Sequence, residues 1–125
     1  MIQIGNPAFN YDKFGTEYSS HRQTDQRIAE YVYRELAGAK TILNVGSGAG
    51  SYEPTDKYVV AVEPSAAMRQ QRLDKNKVPA INAKAGDLPF DNNSFDASMA
   101  LVTVHHWPDM DKGLKELRRV AKHQV

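Results

Sequence analysis

The chain has 125 residues, a formal net charge of +1 and no cysteine. This length fits one domain with a sizeable core, the near-neutral charge gives no field typical of nucleic-acid or membrane binding, and the lack of cysteine excludes disulfides and thiolate metal sites. No apolar run approaches the roughly 20 residues of a membrane helix, and the first residues do not form a secretory signal, so we expect a cytoplasmic protein without nucleic-acid or membrane partners.

The N-terminal part divides into an arm and the start of a domain. Residues 1–23 mix aromatic and polar side chains, and Pro7 and Gly15 interrupt any periodicity, which predicts a loosely structured arm or lid. The domain then comprises residues 24–125. Thr24 is the predicted N-cap of an amphipathic helix that ends near Gly38. The apolar face predicted for this helix consists of Ile28, Tyr31, Val32 and Leu36.

Two short apolar runs follow, at residues 41–45 and 58–62. Each predicts a short strand, and the second is nearly continuous in apolar character, as expected when both faces are covered. The segment between them, residues 46–57, contains Pro54, so we expect at most one or two helical turns there. Its twelve residues still meet the rough minimum of about a dozen for a connection between parallel strands.

A second helix is predicted after the second run. Pro64 stops the strand, and Ser65 is the predicted N-cap. This helix carries the apolar residues Ala66, Met68 and Leu73.

The last third of the chain continues the alternation. Residues 80–85 predict a third strand, weak in composition, and residues 95–104 contain the fourth. Asp109 opens the last helix. Its predicted apolar face consists of Met110, Leu114, Leu117 and Val120. Strands that alternate with helices indicate an α/β fold with a mostly parallel sheet.

The most informative stretch is the glycine loop after the first strand. Gly46, Gly48 and Gly50 follow a G-x-G-x-G spacing, which lets the backbone turn sharply and approach a ligand closely. Glu63 ends the next strand, where a carboxylate can accept hydrogen bonds from ribose hydroxyls. Ser51 stands where a dinucleotide fingerprint needs its third glycine, so a nucleoside without a diphosphate fits better than NAD. The simpler alternative is a tight strand-to-loop turn.

Four motifs in order carry a resemblance to a known family. Residues 44–50, 62–65, 86–90 and 94–96 resemble the motif series of class I S-adenosylmethionine-dependent methyltransferases, in the small-molecule branch that includes ubiquinone- and menaquinone-type enzymes. The similarity covers residues 41 to about 121. It implies a Rossmann-like sheet, S-adenosylmethionine as cofactor, S-adenosylhomocysteine as product, and a small-molecule methyl acceptor.

The resemblance assigns the glycine loop and the second strand end to the cofactor. Gly46, Ser47 and Gly48 would leave room for the methionine portion, with backbone groups contacting its amino and carboxylate ends. Glu63 would bind the ribose hydroxyls, and Pro64 beside it belongs to the same site.

Further along, Met68 would pack against the adenine face, and Asp87 would accept a hydrogen bond from the adenine amine. Leu88 would donate its backbone N–H to the ring, and Leu101 would line the site near the sulfonium. Structural alternatives stand beside these roles: Met68 as a core residue and Asp87 as a turn former. Asp96 is expected to brace the loop before its strand rather than contact a substrate.

Two aromatic and basic groups remain. Arg22, with Tyr18, resembles the arm that closes over the methionine carboxylate, although a solvated arginine is an equal alternative. His105, His106 and Trp107 follow the fourth strand, where His106 is the candidate general base and a pocket wall is the alternative. No third ligand accompanies the histidines, so no metal site is predicted.

The sequence supplies about four strands of the seven that the family's sheet has. We therefore expect a truncated domain that ends after the fourth strand, with residues 97–104 as an open sheet edge and self-association through it. Missing acceptor-pocket residues make a non-catalytic nucleoside-binding or assembly module the alternative to an active enzyme, and an NAD-binding domain is the second alternative.

Overall fold

The structure is a computed structural model that describes residues 25–101, 103 and 107–125. Its elements in chain order are α1 (Gln26–Glu35), β1 (Thr41–Val45), β2 (Tyr58–Val62), α2 (Ala66–Asp74), β3 (Phe95–Met99), α3 (Met110–Val120) and β4 (Ala121–Gln124). The four strands form one parallel sheet in the order β2-β1-β3-β4. The predicted α/β class and Rossmann-like parallel sheet are thereby confirmed.

β1 lies in the middle of the sheet and is covered on both faces. Because successive side chains of a strand point to opposite faces, Leu43 packs in a cluster with Leu117 of α3, whereas Ile42 packs in a second cluster with Val32 of α1. This two-sided burial explains why residues 42, 43 and 45 of the strand are all apolar.

α1 begins one residue later than predicted and faces the core differently. Asp25 is its N-cap, and the carboxylate accepts from the Arg27 N–H. Ala29, Val32 and Leu36 are buried, whereas Tyr31 is 53% exposed. The prediction that Tyr31 belongs to the apolar face was wrong because it lies outside the stripe that the buried positions form at helical spacing.

α2 has the predicted cap, and its buried face includes an arginine. Ser65 accepts from the Met68 N–H, which confirms the cap. The two buried residues are Met68 and Arg72, one turn apart, and Leu73 is 48% exposed. An arginine thus takes a buried position on this helix, while its leucine is exposed.

The predicted third strand at residues 80–85 is not formed. Only Ile81 pairs with the sheet, through one isolated parallel bridge to Val62. Its N–H donates to Ala61 O, and its carbonyl accepts from the Glu63 N–H. β2 ends at Val62, so the residues beyond Ile81 have no strand in register to pair with.

The fourth strand in the sheet is one that the sequence did not predict. β4 begins immediately after α3 and pairs in parallel with β3, from Phe95 opposite Ala121 to Ser98 opposite Gln124. β3 itself is shorter than the predicted range of 95–104. The expectation of an open edge on β3 was wrong, and self-association through that edge loses its basis.

α3 confirms Asp109 as its N-cap, with the carboxylate accepting from the Lys112 N–H. Of the four residues predicted for its apolar face, Leu117 and Val120 are buried. Met110 and Leu114 are exposed, so the prediction was wrong for these two. α3 has 11 residues, and none of the helices in the described ranges is long and apolar enough to cross a membrane.

Candidate functional site

The glycine loop lies at the carboxyl end of β1, where parallel sheets of this class bind ligands. Gly46, Gly48 and Gly50 all have positive φ, at 66°, 54° and 87°. This is the left-handed region that side chains disfavour. A Cβ on Gly46 would collide with the side chain of Thr103, and one on Gly48 would lie 3.7 Å from Met68 Cε. The turn therefore requires residues without a Cβ, as the glycine spacing indicated.

Glu63 joins the glycine loop to the start of α2. Its carboxylate is buried and accepts from the Gly48 N–H at 2.7 Å and from the Ser65 N–H at 2.9 Å. The position of Glu63 next to the loop is the one that the sequence predicted.

A small cleft lies above the loop. It is lined by Asn44, Gly46, Ser47, Gly48, Ser51, Tyr52 and Leu101. Within the described part of the chain, the buried hydroxyl of Ser47 has no hydrogen-bond partner. A buried polar atom without a partner costs free energy, so the Ser47 hydroxyl is suited to a ligand in the cleft. The cleft thus brings together four of the predicted site residues, Gly46, Ser47, Gly48 and Leu101.

The connection between β1 and β2 contains turns and no helix within residues 46–57. The Gly50 N–H donates to Ser47 O and the Glu53 N–H to Gly50 O, which forms two consecutive turns. A diphosphate is usually held at the N-terminus of a helix after a glycine loop. The absence of such a helix here favours a nucleoside ligand over a dinucleotide.

The other residues predicted to contact the cofactor, Pro64 and the adenine contacts, are spread around this edge of the sheet. Met68 is fully buried against the glycine loop, whereas Pro64 and Asp87 are exposed. The backbone N–H of Leu88 donates to Glu116 Oε2 at 2.9 Å. That N–H is therefore occupied in this conformation, and its bond to adenine stays a prediction.

Glu116 and Arg119 of α3 hold the loop that carries Asp87 and Leu88. Arg119 donates to Leu88 O and Phe90 O and makes two bonds to the Glu116 carboxylate. The Arg119 guanidinium beside Glu116 lowers the pKa of that carboxyl, as does the bond from the Leu88 N–H. This clamp was missed in the sequence because a Glu-x-x-Arg pair on a helix is common on solvated surfaces.

A buried charge network below the glycine loop was also missed. Arg72 donates to both oxygens of Glu53, at 2.6 and 3.0 Å, and Asn44 Nδ2 donates to Glu53 Oε2 at 2.8 Å. One signal was available, since Arg72 follows Met68 by one helical turn and therefore shares its inward face.

The candidate catalytic residue His106 and its neighbour His105 lie outside the described residues, as do Tyr18 and Arg22 of the predicted arm. Trp107 is described, and its ring packs against Gly113 of α3. Among the described residues, no group of three His, Asp or Glu side chains is arranged to hold a metal ion.

Asp96 lies at the opposite end of the sheet. Its carboxylate accepts from the backbone N–H groups of Lys40 and Thr41 at 2.9 and 3.2 Å. These donors hold the pKa of the Asp96 carboxyl below its usual range. The bonds fasten the start of β1 to β3, so Asp96 has a bracing role, but at the start of β1 rather than in the loop before its own strand.

Comparison with known protein families shows which family the chain belongs to. A family profile described as "Methyltransferase domain" matches residues 43–124, which include the glycine loop, Glu63 and the loop that α3 clamps. The chain belongs to this methyltransferase-domain family. The resemblance inferred from the four motifs is confirmed.

Individual relatives agree with this family. The chain is 30% identical to demethylmenaquinone methyltransferase of Clavibacter sepedonicus, over 90% of this chain and 49% of that protein. It is 20% identical to a tRNA (carboxymethyluridine(34)-5-O)-methyltransferase of Schizosaccharomyces pombe, over 90% and 49%. A SAM-dependent methyltransferase of Thermotoga maritima superposes with a TM-score of 0.76 at 25% identity, over 90% of this chain and 55% of that one. The chain spans about half the length of the curated relatives it matches.

Proposed function

We propose that this methyltransferase domain binds S-adenosylmethionine in the cleft at the glycine loop and serves in methyl transfer to a small molecule. The observation that carries the proposal is the buried Glu63 carboxylate, which lies at the end of β2 and contacts the loop through the Gly48 N–H. In this family, a carboxylate beside a glycine loop favours a ligand whose ribose hydroxyls bind the carboxylate while the loop backbone approaches the ligand closely.

Residues of the cleft, together with Glu63 beside it, would hold the cofactor. Glu63 would accept from the ribose hydroxyls, and the unpartnered hydroxyl of Ser47 would donate to a carboxylate or accept from an ammonium group of the methionine portion. Gly48 leaves the space that a Cβ would fill, whereas the corresponding space at Gly46 is taken by the side chain of Thr103. When bound, the cofactor supplies an electrophilic methyl group on a sulfonium.

The residues of this chain would contribute to methyl transfer mainly by positioning the reactants. Methyl transfer from a sulfonium requires an acceptor held in line at close approach, which is an orientation effect. Leu101 presents an apolar wall to the cleft. We propose Met68 and Asp87 as the adenine contacts and keep His106 as the candidate base for a hydroxyl acceptor.

The acceptor is proposed from composition and from one relative. The net charge of +1 gives no basic field for a polyanion such as RNA. A relative is named demethylmenaquinone methyltransferase, so a demethylated quinol is the first acceptor to assay. Binding of S-adenosylhomocysteine without methyl transfer would instead favour the non-catalytic binding module.

Calorimetric titration of the 125-residue chain with S-adenosylhomocysteine and, separately, with NAD tests the cofactor. We expect the first to bind and the second not to bind. Glu63→Gln should weaken the binding of S-adenosylhomocysteine by about 1–3 kcal/mol, because the charged acceptor is lost. Glu35→Gln is the matched control, since Glu35 lies near Lys40 and His123 away from the cleft. Equal affinity of the Glu63 and Glu35 variants would reject the ribose role.

A further inference from the structure

An ion pair between Glu53 and Arg72 is buried beneath the glycine loop. Their side chains are 6% and 0% exposed, and two hydrogen bonds of 2.6 and 3.0 Å join them in a fork. Burying two charges costs several kcal/mol per ion, and apolar residues of similar volume often stabilise a fold at least as well. Stability of the core therefore gives little reason to retain a charged pair at this place.

The pair contacts the loop directly. A Cβ on Gly50 would lie 2.8 Å from Arg72 Nη1 and 3.0 Å from Glu53 Oε1, so the backbone of the loop rests on the two charged groups. Arg72 Nε also donates to Val78 O at 2.9 Å. Because all three nitrogens of the guanidinium donate hydrogen bonds, it cannot shift without breaking one of them. The last glycine of the loop thus has a rigid support.

The pair also fixes the amide of Asn44. Asn44 lines the cleft, and its Nδ2 donates to Glu53 Oε2. An ionised carboxylate only accepts hydrogen bonds, so Glu53 holds the amide with its nitrogen inward. The other end, Oδ1, is then the acceptor that Asn44 can offer to a donor such as a hydroxyl or an ammonium group.

We infer that Glu53 and Arg72 are positioning residues for the cofactor cleft, an inference that rests on the proposed binding of a nucleoside cofactor there. Their ion pair supports the glycine loop at Gly50 and sets the orientation of Asn44. Neither residue is a catalytic residue, because each acts through a neighbour that lines the cleft or forms the loop.

The double variant Glu53→Leu/Arg72→Met tests this role. Removing both charges leaves no unpaired ion, so the chain should still unfold cooperatively. We expect its affinity for S-adenosylhomocysteine to fall about tenfold. We also expect faster hydrogen exchange of the amides of residues 46–50 in the ligand-free chain, a readout that does not depend on the ligand.

Ser98→Ala is the matched control, because it removes a buried hydrogen bond to Leu117 O away from the cleft. It should bind S-adenosylhomocysteine as wild type does. Equal loss of affinity in the control and the double variant would overturn the positioning role, and so would a double variant within about twofold of wild type. Should the double variant not fold, Arg72→Lys replaces it, since lysine keeps the charge without the fork.

Failure of the proposed function gives a different pattern. Wild-type chain that does not bind S-adenosylhomocysteine would reject the cofactor, and the exchange rates would then decide the positioning role alone. Faster exchange at residues 46–50 in the double variant supports the role, and unchanged exchange overturns it.

Discussion

Replacing Gly50 with alanine should destabilise the fold by about 2–5 kcal/mol. Gly50 has a φ of 87°, and an L-residue in the left-handed region costs roughly 1–2 kcal/mol. The new Cβ would lie 2.8 Å from Arg72 Nη1 and 3.0 Å from Glu53 Oε1, which cannot move freely because they bond to each other. Overpacking of this kind adds about 1–3 kcal/mol. The sum is a large fraction of the roughly 5–15 kcal/mol that stabilises a domain.

Urea unfolding measures this difference, with the fluorescence of Trp107 as the probe, because it is the one tryptophan of the sequence and packs between α3 and the core. Gly38→Ala is the control. A Cβ at Gly38 meets nothing within 4 Å, and its φ is not left-handed, so alanine there should stabilise the fold by about 0.4–1 kcal/mol. A Gly50 variant as stable as the Gly38 variant would refute the argument that conformation and close contact require glycine at position 50.

Two further predictions concern stability. The pKa of Asp96 is lowered by the backbone N–H groups that donate to it, so its stabilising effect is present above about pH 4 and is lost as the pH falls through the lowered pKa. In urea unfolding from pH 7 to pH 3, the free energy of unfolding of wild type should approach that of Asp96→Asn at acid pH. A constant difference between the two would contradict this. Ser98→Ala should lower the free energy of unfolding by about 1 kcal/mol at pH 7, because the buried hydroxyl donates to Leu117 O in the last turn of α3, where helical carbonyls lack partners. Unchanged stability would show that water replaces this bond.

Leu88 shows where the motif and the tertiary structure differ. The resemblance gives its backbone N–H to adenine, but in the structure this N–H donates to a carboxylate from α3, 28 positions along the chain. A motif defines which backbone groups a loop carries. It does not define which of them a distant helix already occupies.

The two central strands and the glycine loop could be predicted because their signals are local. A continuous apolar run predicts a strand that is covered on both faces, and glycines at alternate positions predict a backbone that turns where a Cβ cannot fit. β1 and β2 match their predicted ranges, and the three glycines all have positive φ. Glu63 could be placed for the same reason, since the carboxyl ends of adjacent parallel strands meet at one edge.

The rest depended on partners that are distant in sequence. β4 is polar apart from Ala121 and has no alternation, so only its pairing with β3 makes it a strand. Arg72 is typical of a solvated helix face until Glu53 and Val78 surround it. By itself, the sequence determined the α/β class, the family and the position of the glycine loop, because apolar runs and missing side chains act through local structure. The buried charges, the last strand and the occupied Leu88 N–H were decided only by the tertiary structure, because each is a contact between segments whose meeting no local pattern encodes.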